Sequence, residues 1–214
     1  MRPDARRYIS ATVAGSRVNS DDAICDPNEG VAVTIPTMML AMFLGLAAQT
    51  GERVDPMAET VAKWFTMIER SFVALADAMP ENRWGFAPTD GEFNNVRTFA
   101  QQIKHVACAN VAFFNEVERK VPPDGCEAGG PSPARTKGEL MTYLRESFGY
   151  ASRVMRALTP SNAMDPVEGP YGGKTTRLGI STLAVWHATD HYGQLVIYLR
   201  MNGIVPPSTA AEGR

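Results

Sequence analysis

Four stretches of this chain repeat apolar residues at helical spacing, each bracketed by its own start and stop signals. No stretch alternates apolar with polar residues over a useful strand length. Amphipathic helices without a sheet to lie on can bury their stripes only against one another. The first stretch opens at Asp55-Pro56, an N-cap followed by proline at the first helical position. It carries Met57, Val61, Phe65, Ile68, Phe72, Leu75 and Met79, and ends at Pro80. The second begins with the capping box Thr98-Phe99-Ala100-Gln101, runs through Ile103, Val106, Phe113 and Val117, and stops near Pro122-Pro123.

A second capping box, Thr136-Lys137-Gly138-Glu139, opens the third stretch, whose stripe is Leu140, Leu144, Phe148 or Ala151, Met155 and Leu158. The fourth is expected to start near Ser181 or Thr182 and to run to Asn202. Gly203 stands ready for a left-handed C-cap, and Pro206-Pro207 is expected to prevent a restart. Between these stretches, Glu81–Pro88 brings two aromatics to cover one end of the core, while Asp124–Arg135 and Pro160–Thr176 read as loops. The pattern predicts an all-α four-helix bundle over residues 55–208, preceded by a leader, residues 1–54, and followed by a tail, residues 209–214.

Of the 214 residues, 44% are hydrophobic and 21% charged, an ordinary globular balance that excludes a wholly disordered chain. Lysine and arginine number 21 against 23 acidic residues, so the chain lacks the concentrated positive charge that a nucleic-acid backbone selects. No apolar run reaches the roughly 20 residues of a membrane span. The run Met38–Ala48 has the length of a signal-peptide h-region, yet its basic flank lies far upstream with acidic residues between. Two readings stand for the leader: an export signal or its remnant, and a disordered or collapsed N-terminal segment. Exported and cytoplasmic locations follow from them respectively. Cys25, Cys108 and Cys126 show no C-x-x-C spacing and imply no disulfide framework; at most one bridge is possible among them.

The chain has three histidines: His105 in the second helix, and His187 and His191 in the fourth. Positions four apart on a helix stack on one face with Cβ atoms about 5–6 Å apart, close enough for two imidazoles to share a cation. His105 is the one histidine left to complete a set of three, a set that with an open fourth position describes a catalytic zinc site. Such pairs also occur as plain surface or core histidines. Cys108, one turn from His105, is either a fourth ligand or a small core residue. Ala109 and Ala112 leave room for a cavity, and Gln101 and Gln102 are placed to orient an imidazole or a water. Asp190 points about 100° away from His191, which suits an outer role rather than ligation. Gln194 shares the histidine face and can bond a ligand or substrate, Tyr198 continues that face as a pocket floor, and Gly193 leaves room for a neighbouring helix. Trp186 and Tyr192 are expected in the core.

The run His187-Ala188-Thr189-Asp190-His191-Tyr192-Gly193-Gln194-Leu195, with Tyr198-Leu199-Arg200, Gly203 and Pro206-Pro207, resembles the last helix of DinB-like proteins. Val96-Arg97-Thr98-Phe99 with His105 is similar to that family's second-helix motif, and Glu81–Pro88 to the aromatic loop before it. The resemblance covers residues 56–208 apart from the loop Pro122–Arg135, and the superfamily includes YfiT-like metal-dependent hydrolases and bacillithiol-dependent S-transferases. It implies a four-helix bundle in which His105, His187 and His191 hold a divalent ion, zinc foremost, with nickel or another divalent ion as alternatives. It also implies a small-molecule substrate, a low-molecular-weight thiol as co-substrate, and a homodimer. A three-histidine ion can lower the pKa of a bound water for hydrolysis, or deprotonate a thiol for transfer to a small electrophile. The rival from another class is a non-catalytic bundle that sequesters a metal or small ligand, for which Cys108 would be the fourth ligand.

Overall fold

A computed structural model describes residues 54–170 and 173–212. The leader and its apolar run 38–48 lie outside the described residues. Helix α1 spans Pro56–Ala78, α2 Phe99–Val117, α3 Lys137–Arg156 and α4 Arg177–Met201. The caps form as the sequence predicts. Asp55 accepts from Met57 N at 2.8 Å, and Thr98 and Thr136 each complete a reciprocal capping box, with Gln101 and with Glu139. Each box satisfies donors that a helix start would otherwise leave orphaned, and such caps contribute about 1 kcal/mol. Gly203 adopts φ +73°, the left-handed cap conformation.

Three details depart from expectation. Helix α4 begins at Arg177, with Thr176 as N-cap accepting from Gly179 N at 3.0 Å. Its first turn has no apolar stripe to betray it. Gly179 lies so close to Thr175 that a Cβ there would strike the threonine hydroxyl, so the glycine permits the tight entry rather than marking a loop. Second, the connection before α4 contains a hairpin, β1 (Pro166–Glu168) antiparallel to β2 (Lys174–Thr176), with Val167 opposite Thr175. Three-residue strands are too short for alternation to show in sequence. Third, Pro206-Pro207 does not stop the chain from re-entering a helix: Pro207 begins the short α5, Pro207–Glu212, where its missing N–H costs nothing. Tyr192 Oη bonds Ser208 Oγ at 2.8 Å and secures this turn.

The helices pack in spatial order α1–α3–α2–α4, closing back on α1. Helices α1 and α2, consecutive in sequence, therefore sit on a diagonal, and α2 lies beside α4. The stripes of α1, α2 and α3 meet in a core centred on Phe65, Phe72, Phe114 and Phe148. Phe65 and Phe148 stand 5.1 Å apart between ring centres, and Phe72 and Phe148 6.0 Å apart. Trp84 from the 81–88 loop closes one end, its Nε1 donating to the Met79 carbonyl at 2.9 Å. Helix α4 differs: its inward face is Ile180, Ala184, His187, Ala188, His191, Leu195 and neighbours, while Trp186, Ile197 and Met201 face outward. Trp186 is 59% exposed, so it is not the core aromatic that its place beside the motif suggested. Among the described residues no helix is long and apolar enough to cross a membrane.

Candidate metal centre

Because α2 lies against α4, His105 meets His187 and His191 inside the bundle. The three are 4%, 5% and 7% exposed, and their nearest donor atoms all fall within 4.8 Å of one another. Ring centres stand 5.1, 4.8 and 4.5 Å apart. Phe113 of α2 packs edge-on against His187 at 5.2 Å and forms an apolar wall.

His105 Nδ1 lies 2.8 Å from the carbonyl oxygen of Cys126. A carbonyl can only accept, so the proton sits on Nδ1 and the Nε2 lone pair faces the cluster. That Nε2 is 3.1 Å from His187 Nε2. Two lone pairs facing at this range repel unless a proton or a cation lies between them. Nitrogens bound at 2.0–2.1 Å to a tetrahedral ion stand roughly 3.3 Å apart, so the observed spacing suits either occupant. Nδ1 of His187 and of His191 are buried without a partner among the described residues.

Burial also keeps the rings neutral, the form that binds metal. Desolvation, and then repulsion from the His191 and His105 charges, lowers the His187 pKa to about 3. Desolvation chiefly lowers His191 to about 4, with the His105 charge adding and Asp190 partly offsetting. His105 is lowered by burial, against the Cys126 carbonyl, which favours its protonated form. An unfolded histidine titrates near 6.5. Between that value and the depressed folded values the unfolded chain binds more protons, so stability rises with pH there and falls on acidification. Metal-free protein is expected to lose stability as pH drops from about 6.5 to about 4. Urea midpoints at pH 7 and pH 5 measure this, and a His187→Gln, His191→Gln variant should flatten the dependence.

The remaining sequence candidates divide. Cys108 is disulfide-bonded to Cys126, with Cα atoms 5.3 Å apart. The bridge removes Cys108 as a ligand, and it is a cross-link that the spacing of the cysteines did not imply. Cys25 lies outside the described residues. Gln194 lies against His191, whose pKa its side-chain hydrogen bond raises, against the larger effect of burial. Its Oε1 accepts from Gln102 Nε2 at 2.7 Å and its Nε2 donates to Asp190 at 2.9 Å, so Asp190 is exposed and held one step further out. Gln101 is spent on the α2 cap. Tyr198 Oη donates to the Arg97 carbonyl at 3.0 Å, and among the described residues a Cβ on Gly193 would meet nothing within 4 Å, so no described helix approaches there.

One helical turn from His105 and His191, Gln102 and Gln194 line a groove of about 490 Å³ together with Phe93, Val96, Arg97 and Tyr198. Gln102 is buried and its Oε1 has no partner among the described residues. Sequence reasoning missed the Cys126 carbonyl and the Phe113 wall. No signal in the sequence pointed to the first, because the Cys108–Cys126 pairing that places it shows only in the structure.

A helical bundle enclosing three converging imidazoles between two of its helices defines a class of small histidine-lined proteins able to hold one metal ion. The family model of the DinB superfamily matches residues 65–195, a span that includes all three histidines and the loop Pro122–Arg135. The chain belongs to the DinB superfamily. No curated protein matches its sequence.

Proposed function

We propose that the chain is a metal-dependent enzyme in which His105, His187 and His191 hold one divalent ion, zinc foremost, and which transfers a low-molecular-weight thiol to a small electrophile. The convergence of three neutral, buried imidazoles one turn from a partly apolar groove carries this reading. A divalent ion there supplies Lewis acidity, which draws the pKa of an adjacent water or thiol towards neutrality. The chain's own residues do the rest. The Cys126 carbonyl fixes the His105 tautomer, Phe113 excludes water from one side, and Phe93, Val96 and Ile197 offer apolar surface to a substrate. Gln102, with an unpartnered buried acceptor, is placed to take a hydrogen bond from a substrate N–H or S–H.

Thiol transfer is favoured over hydrolysis by what lines the groove. Among the described residues the groove's lining includes no carboxylate and no histidine to serve as general base for water. A thiol deprotonated beside the ion is also intrinsically the stronger nucleophile. The sequestering alternative loses its fourth protein ligand, because Cys108 is bonded to Cys126. That bridge also favours the exported reading of the leader, since disulfides persist in oxidising compartments.

The test is to assay zinc-loaded protein with several low-molecular-weight thiols and an activated aryl halide. Thiol-dependent product at a rate at least about 100-fold above a His187→Ala variant supports transfer, matching the several kcal/mol that such an ion supplies. Turnover of an ester or amide without thiol would replace transfer by hydrolysis. Zinc binding with neither activity would overturn the enzyme reading.

A further inference from the structure

We propose that the Cys108–Cys126 disulfide is a positioning latch for the histidine cluster, so that its thiol–disulfide state sets how tightly the site holds its ion. This deepens the proposed function and rests on the metal-binding part of it. Cys108 lies one turn beyond His105 on α2, fully buried, while Cys126 opens the short turn Cys126–Ala128 in the loop above it. The backbone carbonyl of the same Cys126 receives the His105 Nδ1 proton at 2.8 Å. The bridge and the orienting hydrogen bond therefore share Cys126, and their other ends, Cys108 and His105, stand one turn apart on α2, closing a very short circuit: α2, disulfide, Cys126 carbonyl, imidazole, α2.

The loop is shaped around that bond. Gly125, Gly129 and Gly130 all have positive φ, at +71°, +94° and +68°. A Cβ on Gly130 would collide with Cys108 Sγ, and one on Gly129 would press on the Lys104 side chain. Three glycines in conformations that other residues rarely adopt let the turn lie flat against α2, an arrangement that costs conformational entropy unless a cross-link holds it. The second tether is Arg97, whose Nε donates to the Glu127 carbonyl at 2.9 Å and whose guanidinium pairs with the Glu127 carboxylate at the surface. Surface pairs contribute little. Without the disulfide the turn is held mainly by bonds that water can replace.

Cys126 is half-buried whereas Cys108 is not exposed at all, so a reducing thiolate reaches the Cys126 sulfur. Attack there forms a mixed disulfide and expels the Cys108 thiolate, which takes a proton. A second thiol resolves the mixed disulfide, leaving two cysteine thiols and an oxidised reductant. With the loop released, His105 loses the acceptor that fixes its tautomer and ring plane. Losing such an outer partner typically costs 10–100-fold in metal affinity.

The experiment compares full-length wild type with a Cys108→Ala, Cys126→Ala double variant by two readouts. One is the zinc dissociation constant from competition with a chromophoric chelator; the other is the imidazole nitrogen-15 shifts of His105 in zinc-free protein. We expect 10–100-fold weaker zinc binding and loss of the single Nδ1–H tautomer of His105, with far-UV circular dichroism unchanged. An unchanged tautomer overturns the latch, even where affinity falls, because the loss is then general destabilisation. Affinity within twofold of wild type overturns it as well. Should the double variant not fold, wild type reduced by a water-soluble phosphine, which takes up the oxygen of water as the bridge becomes two thiols, is read by the His105 tautomer in zinc-free protein alone, because the freed Cys108 thiol is itself a candidate zinc ligand. Should wild type itself bind no zinc, the metal reading fails, and the tautomer comparison still decides whether the bridge orients His105.

Discussion

Replacing His187 by alanine is expected to strip the protein of its metal. Elemental analysis of purified wild type should find about one divalent ion per chain, and the variant less than about a tenth of that, since a ligand itself is lost and even an outer partner costs 10–100-fold in affinity. Each ring touches both others, and His187 closes the set: its Nε2 stands 3.1 Å from that of His105 and its ring centre 4.5 Å from that of His191. Without it, two nitrogens on different helices are left to hold an ion that prefers four ligands. His105→Ala should behave alike, because it removes the one ligand that α2 contributes. The ion should also stabilise the wild type by mass action, about 2.7 kcal/mol at a free concentration 100 times the dissociation constant, and a chelator should abolish that increment. Neither variant should respond to the chelator. Equal metal content in wild type and both variants would remove the basis of every activity proposed above.

Phe65→Ala should produce the largest loss of stability of any single core truncation away from the site, about 3–5 kcal/mol. The Phe65 side chain is wholly buried, with Phe148 at 5.1 Å and Phe114 at 6.3 Å between ring centres. Its removal takes a ring from the point where α1, α2 and α3 meet, and helix backbones cannot collapse into the gap. Since a domain of this size is stable by only about 5–15 kcal/mol in total, the variant should unfold at a much lower urea concentration with an unchanged slope. Trp186→Ala is the contrasting case. That ring is 59% exposed, and its loss should stay within about 0.5 kcal/mol. A Phe65→Ala midpoint matching that of Trp186→Ala would show that the packing described here does not carry the fold.

Much of this architecture is legible in the order of residues. The three starts at Asp55, Thr98 and Thr136 rest on side chains that bond backbone groups two or three positions away. The stripes from Met57 to Met79 and from Leu140 to Leu158 need only the 3.6-residue repeat. The fourth helix was harder, because its buried face carries His187 and His191 among small residues and its exposed face carries Trp186 and Ile197. Its hydrophobic pattern therefore does not mark its first turn. The His187–His191 pair follows from helical spacing alone; that His105 joins them does not.

That junction depends on α2 lying beside α4 while α1 stands across the diagonal. The same is true of the bridge from Cys108 to Cys126, the Cys126 carbonyl on His105, and the pairing of Gln102 with Gln194. Where each helix begins, and which of its faces is apolar, is settled by hydrogen bonds and periodicities reaching no further than a turn or two along the chain. Which faces end up opposite one another is settled by the joint burial of segments far apart in sequence, and no single segment contains that information.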